Sequence, residues 1–403
     1  MIRQYSKLMA QQELRQQVAK YLSRRRLAFG FLVFTTIAVM WAFTGIAQAT
    51  DGSILDELKT IVTVTSTVPS NGDINPYGVA EVRHTTGNLT KGHILVSNFN
   101  NSANAQGTGT TIVDVAPNGT LGLFAQLNAN ALPGSCPGGI GLTTALVVLK
   151  SGWVIVGSLP TTDGTAATAQ AGCLIVLDSM GNPVETIFGT LINGPWDMTA
   201  FEDDHEAKLF VTNVLNGTVA ANGNVVNQGT VVRIDLKLSE AAIPWVESLT
   251  VIGSGFAERT DPAALVIGPT GVGLGKRGKE DWREDRDEDD VLYVADSLNN
   301  RIQMIRHALT RTTSAGTGFT LSENGSLNDP LGLVVAPNGH ILTVNGNDGF
   351  ITEITPRGDQ IAQKQLDNTG SPPGAGTLFG LAFDPKAGVY FVDDGTNTLN
   401  LLH

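Results

Sequence analysis

The sequence predicts an all-β protein, a six-bladed β-propeller of four-stranded antiparallel blades preceded by an N-terminal signal or anchor helix. Three observations predict it. The composition combines 46 Gly with only 6% aromatic residues, which suits many short strands joined by tight turns. A two-strand phrase ending in a small polar residue recurs six times, and an uncharged apolar run stands apart near the N-terminus.

The N-terminal element comes first. Residues 1–26 carry seven Lys or Arg and one acid, Glu13, and the apolar run LAFGFLVFTTIAVMWAFTGI follows over 27–46. Ala47-Gln48-Ala49 then forms a small-x-small site of the kind signal peptidase cuts, so residues 1–49 read as an export signal. The same run is long enough to span a bilayer if uncleaved, with Arg24, Arg25 and Arg26 holding its N-terminus in the cytoplasm. SRRRLAF at 23–29 resembles a twin-arginine export motif, with Leu27 and Ala28 where a Phe-Leu pair is usual. Either route puts residues 50–403 outside the cytoplasm, periplasmic or secreted, or else anchored to the inner membrane by the helix. Membrane contact is expected only through residues 27–46.

Charge narrows the partners. Seven of the 26 basic and one of the 38 acidic residues lie in the leader, so the remainder holds 19 basic against 37 acidic residues, a net charge of −18. A nucleic acid partner is disfavoured, because phosphate binding needs a basic face.

The repeat is an apolar strand opening near Pro or Gly, a turn, and a second apolar strand. It is plainest in DVLYVADSLNNRIQMI (290–305), PLGLVVAPNGHILTVN (330–345) and LFGLAFDPKAGVYFVD (378–393). Looser copies are PYGVAEV with HILVSN, TALVVLKSGWVIVGS, and PWDMTAFEDDHEAKLFVTN. The polar residue closing the second strand falls in one column: Asn98, Ser158, Asn213, Asp296, Asn345 and Asp393. A period of about 50 to 65 residues fits a four-stranded blade, which cannot bury both faces without neighbours stacked around an axis. The turns APNG (116–119), SMGN (179–182) and APNG (336–339) supply Gly or Asn for positive φ. The last repeat has room for a third strand and no fourth, whereas TIVTVTSTV at 60–68 is an orphan alternating strand. The expectation is that strand 60–68 closes the last blade, leaving no bare edge.

LYVADSLNNRIQMI and DPLGLVVAPNGHILTV resemble the NHL repeat, and the likeness extends over most of residues 75–403. The resemblance implies a group that includes peptide-amidating lyases, virginiamycin B lyase-like enzymes, regucalcin-like lactonases and pure binding modules. It therefore leaves the function open.

One face gathers the starts of first strands, the ends of second strands and the starts of third strands; it is here called the upper face. Long, nearly uncharged loops from 100, 159 and 215 are expected to wall half of it, leaving a neutral polar cleft for a glycan or peptide. Asn98, Asn213, Asp296, Asn345 and Asp393 are candidate axial ligand-binding residues, since Asx oxygens suit hydroxyl-rich ligands and hard cations. The competing reading is that each bonds its own turn backbone. No metal or cofactor is expected; Asp296 and Asp393 are the candidate ligands if a divalent cation such as calcium binds. Cys136 and Cys173 fall at the upper face of one blade and are a disulfide candidate.

His84, His93, His205 and His340 fall in or beside lower turns, and His307 and His403 follow third strands. A histidine-based metal lyase is thereby disfavoured. GPTGVGLGK at 268–276 misses phosphate-loop spacing, and KRGKEDWREDRDEDD at 276–290 reads as a solvated charged loop rather than a calcium loop. The leading expectation is an extracytoplasmic scaffold that binds a protein, peptide or glycan at the upper face. The alternative is a metal-dependent hydrolase or lyase, lactonase-like, using axial carboxylates. The resemblance to regucalcin-like enzymes implies a Glu, an Asn and an Asp as ligands, of which Asn213, Asp296 and Asp393 supply two types.

Overall fold

The computed structural model describes residues 52–239, 242–262, 264–276 and 290–403; the expected leader at 1–49 and most of the charged loop at 276–290 lie outside them. Six antiparallel sheets form a six-bladed β-propeller. The chain enters by a helical turn, α1 (Ile54–Glu57), and strand β1 (Ile61–Ser66). Blade 1 is β2 (Ile74–Glu81), β3 (Ile94–Asn100), β4 (Thr111–Val115) and β5 (Leu121–Gln126). Blade 2 is β6 (Leu142–Val148), β7 (Val154–Ser158), β8 (Cys173–Leu177) and β9 (Pro183–Ile187). Blade 3 is β10 (Pro195–Glu202), β11 (Glu206–Asn213), β12 (Val226–Ser239), β13 (Ala242–Asp261) and β14 (Leu265–Ile267). Blade 4 is β15 (Pro269–Lys276), β16 (Asp290–Asp296), β17 (Arg301–Arg306) and β18 (Phe319–Glu323). Blade 5 is β19 (Pro330–Val335), β20 (Ile341–Asn345), β21 (Phe350–Ile354) and β22 (Gln360–Gln365). Blade 6 is β23 (Leu378–Asp384), β24 (Gly388–Asp393) and β25 (Thr398–Leu402), with β1 as its fourth strand.

The same register defect repeats in every blade. The polar residue of the second strand pairs with the opening of the first: Pro76 with Asn98, Leu142 with Ser158, Pro195 with Asn213, Pro269 with Asp296, Pro330 with Asn345, and Leu378 with Asp393. A register shift follows each pair, so the innermost strand is irregular at the same place in every blade. Two residues after the opening, blades 1, 4, 5 and 6 carry Gly78, Gly271, Gly332 and Gly380, and blade 3 carries Asp197. The glycines allow a close approach: a Cβ on Gly271 would stand 2.0 Å from the Leu331 carbonyl oxygen, and one on Gly380 would stand 2.1 Å from that of Tyr77. Hydroxyls tie the inner strands together. Ser97 Oγ donates to the Thr143 carbonyl at 2.8 Å, Thr212 Oγ1 to that of Thr270 at 2.9 Å, and Thr270 Oγ1 to that of Pro330 at 2.9 Å.

The apolar cores lie between blades rather than within them. Leu95 and Ile112 of blade 1 pack with Val154 and Ile175 of blade 2, and Ile155 and Leu174 with Leu209 and Val232 of blade 3. Each such side chain contributes roughly 1.5–3 kcal/mol on burial, and half of that surface would be bare in a lone sheet. The ring therefore stands or falls together. β1 completes it by pairing antiparallel to β25, Ile61 opposite Leu402 and Ser66 opposite Thr398.

Blade 3 departs from the four-stranded plan. β13 is 20 residues long, and its end, Arg259–Asp261, folds back on β14 to make a fifth strand. This hairpin lies over the upper mouth of the axis, where Leu265 and Val266 pack with Tyr77, Phe99, Trp196 and Leu159. Leu265 is buried at 1% exposure and holds a left-handed φ of 62°. Packing over-determines that strained backbone.

Candidate functional site

A plug of side chains divides the axis. Tyr77, Trp196, Leu331 and Phe379 share one apolar cluster with Leu265, and the Tyr77 ring stacks on Phe379 at 4.0 Å and on Phe99 at 4.5 Å. Leu331 and Phe379 floor a cavity on the upper side, while the next residues, Gly332 and Gly380, line a cavity on the lower side.

The upper cavity has a volume of about 330 Å³ and opens over blades 4 to 6. Its polar side chains are Arg259 and Asp261 from the hairpin, Ser297, Asn300, Asp329, Asn347 and Asp394. Arg259 Nη2 pairs with Asp261 Oδ2 at 2.8 Å, so the guanidinium charge is met locally. Asp329, just before β19, has a left-handed φ of 59°, and its N–H donates to Asn300 Oδ1 at 2.6 Å. Its Oδ1 has no hydrogen-bond partner among the described residues. Burial pushes the Asp329 carboxyl up to about 7, aided by Asp261 and opposed by Arg259. Burial, with the neighbouring Asp393 charge, likewise raises Asp394 to about 7. Asn75, with its amide oriented to satisfy its neighbours, donates to Asp394 Oδ1 at 2.8 Å and accepts from Asn100 Nδ2 at 2.9 Å. The pocket thus holds two carboxyls poised between acid and base at neutral pH.

The six polar strand ends are turned away from this opening. Asn98, Ser158, Asn213, Asp296 and Asn345 are fully buried and Asp393 is 7% exposed, and none lines either axial cavity. Asn98 Nδ2 donates to the Thr67 carbonyl, Asn213 Oδ1 accepts from Asn193 N at 2.8 Å, and Asn345 Oδ1 from Asn328 N at 3.2 Å. Asp296 accepts from Arg301 Nε at 2.7 Å and from Asn299 Nδ2. Asp393 Oδ1 accepts from Thr396 N at 3.1 Å. The physical reason is position: the second strand is one layer removed from the axis, and its end ties down the segment leading into the first strand in blades 1, 3 and 5, and its own following loop in blades 4 and 6. Asn213, Asp296 and Asp393 are therefore engaged with their own blades and do not fit a shared cation, and no group of three His, Cys, Asp or Glu side chains with metal-binding geometry occurs among the described residues.

The long loops of blades 1 and 2 pack on each other instead of framing a cleft, with Thr161 N donating to the Gly107 carbonyl and Thr161 Oγ1 to that of Gln106. Cys136 and Cys173 form a disulfide across 37 residues, tying the approach to β6 to the start of β8. None of the six histidines lines either cavity; His93 pairs with Asp114 and His340 with Glu353. The pocket residues that sequence reasoning missed are those of the hairpin and the residues flanking strands, Asp329 before β19 and Asp394 after β24. An uninterrupted strand-like run through Asp261, followed by Pro262, is the signal that announces the hairpin.

No protein-family model matches the chain, and no curated protein is significantly similar to it. Among solved structures it is similar to regucalcin, a calcium-binding protein from Agrobacterium tumefaciens, at a TM-score of 0.50 and 12% identity, over 83% of this chain and 92% of that one. It is also similar to a gluconolactonase from Xanthomonas campestris (TM-score 0.49, 12% identity, 85% and 88% covered) and a streptogramin B lyase (0.47, 14%, 85% and 96%). At such identities the likeness is one of fold, the six-bladed propeller.

Proposed function

We propose that the chain is an extracytoplasmic binding protein that takes a neutral, hydroxyl-rich ligand, one sugar unit of a glycan, in the upper cavity. The carrying observation is the convergence of Asp329, Asp394, Asn300 and Asn347 over an apolar floor of Leu331 and Phe379, in about 330 Å³. Such a pocket offers both donors and acceptors to hydroxyls and an apolar surface to sugar carbons. Because Asp261 answers Arg259, the site does not call for an anionic ligand. Calorimetric titration of the purified chain with a panel of sugars and short peptides tests the reading. Saturable sugar binding is expected, weakened at least tenfold, or about 1.4 kcal/mol, by Asp329→Ala or Asp394→Ala. Binding of peptides alone, or of nothing across the panel, overturns it.

A second reading, hydrolysis at the same pocket, is favoured by one observation: two carboxyls held at about 7 suit general acid and base roles. Turnover of a lactone or glycoside that both alanine variants abolish supports it; substrate bound and released unchanged does not.

A further inference from the structure

The lower axial cavity, about 360 Å³, is lined by the first strands of all six blades and is closed above by the plug of Tyr77, Trp196, Leu331 and Phe379. Its three parts differ in chemistry. At the mouth stand Glu81, Arg83, Lys150 and Glu202, where Arg83 Nε pairs with Glu81 at 3.3 Å and Glu202 accepts from the Lys150 and Ser151 amides. The wall is mixed: the side chains of Val79, Leu146, Met198, Val272, Leu333 and Leu381 alternate with Thr199 and with polar groups of the first strands.

At the closed end two polar side chains meet the cavity. Asp197, which stands where four other blades carry glycine, is 8% exposed, and Thr144 is 4% exposed. Asp197 Oδ2 accepts from Val272 N at 3.0 Å, and its own N–H donates to Thr212 Oγ1. Thr144 Oγ1 has no hydrogen-bond partner among the described residues.

We propose that this cavity is a second binding site, separate from the upper one, that takes a linear aliphatic amine, its ammonium group held by Asp197 and Thr144 and its carbon chain laid against the aliphatic side chains of the wall. A buried carboxylate is costly without an opposite charge, and an ammonium supplies that charge together with donors for both oxygens and the threonine hydroxyl. Burial alone pushes Asp197 up to about 8, opposed only by the Met198 and Val272 amides, so no cation of the protein already neutralises it. A divalent metal ion fits less well, since it wants six or more oxygen ligands and the closed end offers one carboxyl. An anion gains no opposite charge at this end of the cavity. The aliphatic side chains of the wall give a chain-bearing amine contacts that ammonium itself lacks.

Calorimetric titration of the full chain with n-hexylamine and with 1-hexanol separates charge from apolar filling. Hexylamine is expected to bind one to one and at least tenfold tighter than hexanol. Asp197→Asn, which keeps an acceptor for Val272 N, should erase that preference, and Thr144→Val should weaken the amine several-fold. The double variant Asp329→Asn/Asp394→Asn should leave hexylamine affinity unchanged, which keeps this site independent of the upper one. Equal binding of amine and alcohol, no binding, amine affinity intact in a folded Asp197→Asn protein, or loss only in the upper-cavity double variant each overturns the proposal. If Asp197→Asn does not fold, the amine-to-alcohol ratio and Thr144→Val decide it.

Discussion

Glu353 shows how much one side chain can organise. Its carboxylate accepts from His340 Nδ1 at 2.6 Å, Ser53 Oγ at 2.8 Å, Leu55 N at 2.9 Å and Ile54 N at 3.0 Å, which docks α1 on blade 5. Burial pushes this carboxyl up, but the hydrogen bonds from His340, Leu55, Ile54 and Ser53 outweigh it and hold it below the ordinary range. A group so depressed stabilises the fold above its unfolded value and loses that contribution as pH falls through the folded one. Glu353→Gln is therefore expected to cost about 1–3 kcal/mol at neutral pH, with the difference from the parent closing below about pH 4 in denaturant titrations. A constant difference across that range would mean that packing, not charge, holds α1.

At the scale of elements, closure matters most. β1 pairs along the outer side of β25, and Lys59 N and Thr60 N both donate to the His403 carbonyl while His403 N donates to that of Thr60. Removing residues 51–68 would leave β25 as an exposed edge and strip the outer layer from blade 6. The expected result is a large fall in melting temperature together with association into higher oligomers on size-exclusion chromatography. An unchanged monomer with an unchanged melting temperature would show that blade 6 holds without its fourth strand. The β13–β14 hairpin works in the opposite sense: it is surplus to its blade, and its surplus length builds one side of the upper cavity.

For the whole molecule, four buried acids set the pH behaviour. Asp197 and Glu258 are raised to about 8 and Asp329 and Asp394 to about 7, each chiefly by burial. Between the ordinary carboxylate values near 4 and these, the folded state binds more protons than the unfolded one, so stability falls as pH rises and levels off above about 8. Asp235, Asp178 and Glu353 are lowered and act the other way, withdrawing stability in stronger acid. The melting temperature should therefore peak near pH 4–5 and decline toward pH 8, a decline that Asp197→Asn makes shallower at the high-pH end. A maximum at pH 8 or above in calorimetric scans would contradict this.

What the sequence determined by itself is the ring. Alternation, turn residues and a sixfold polar column are local patterns, and a period too short to bury its own faces demands neighbours. PYG, PWD, PTG, PLG and LFG were equally visible along the chain, but their meaning depends on knowing that the third residue meets the axis. Only the tertiary structure decided which polar groups face a cavity. Aspartate has the same letter whether it bonds its own turn, as Asp393 does, or lines a pocket one residue later, as Asp394 does. Asp329 and Asp394 come together across blade boundaries, and Asp197 and Thr144 from different blades share the end of one channel. Burial, which raises these carboxyls, belongs to the packed assembly and to no segment of the chain.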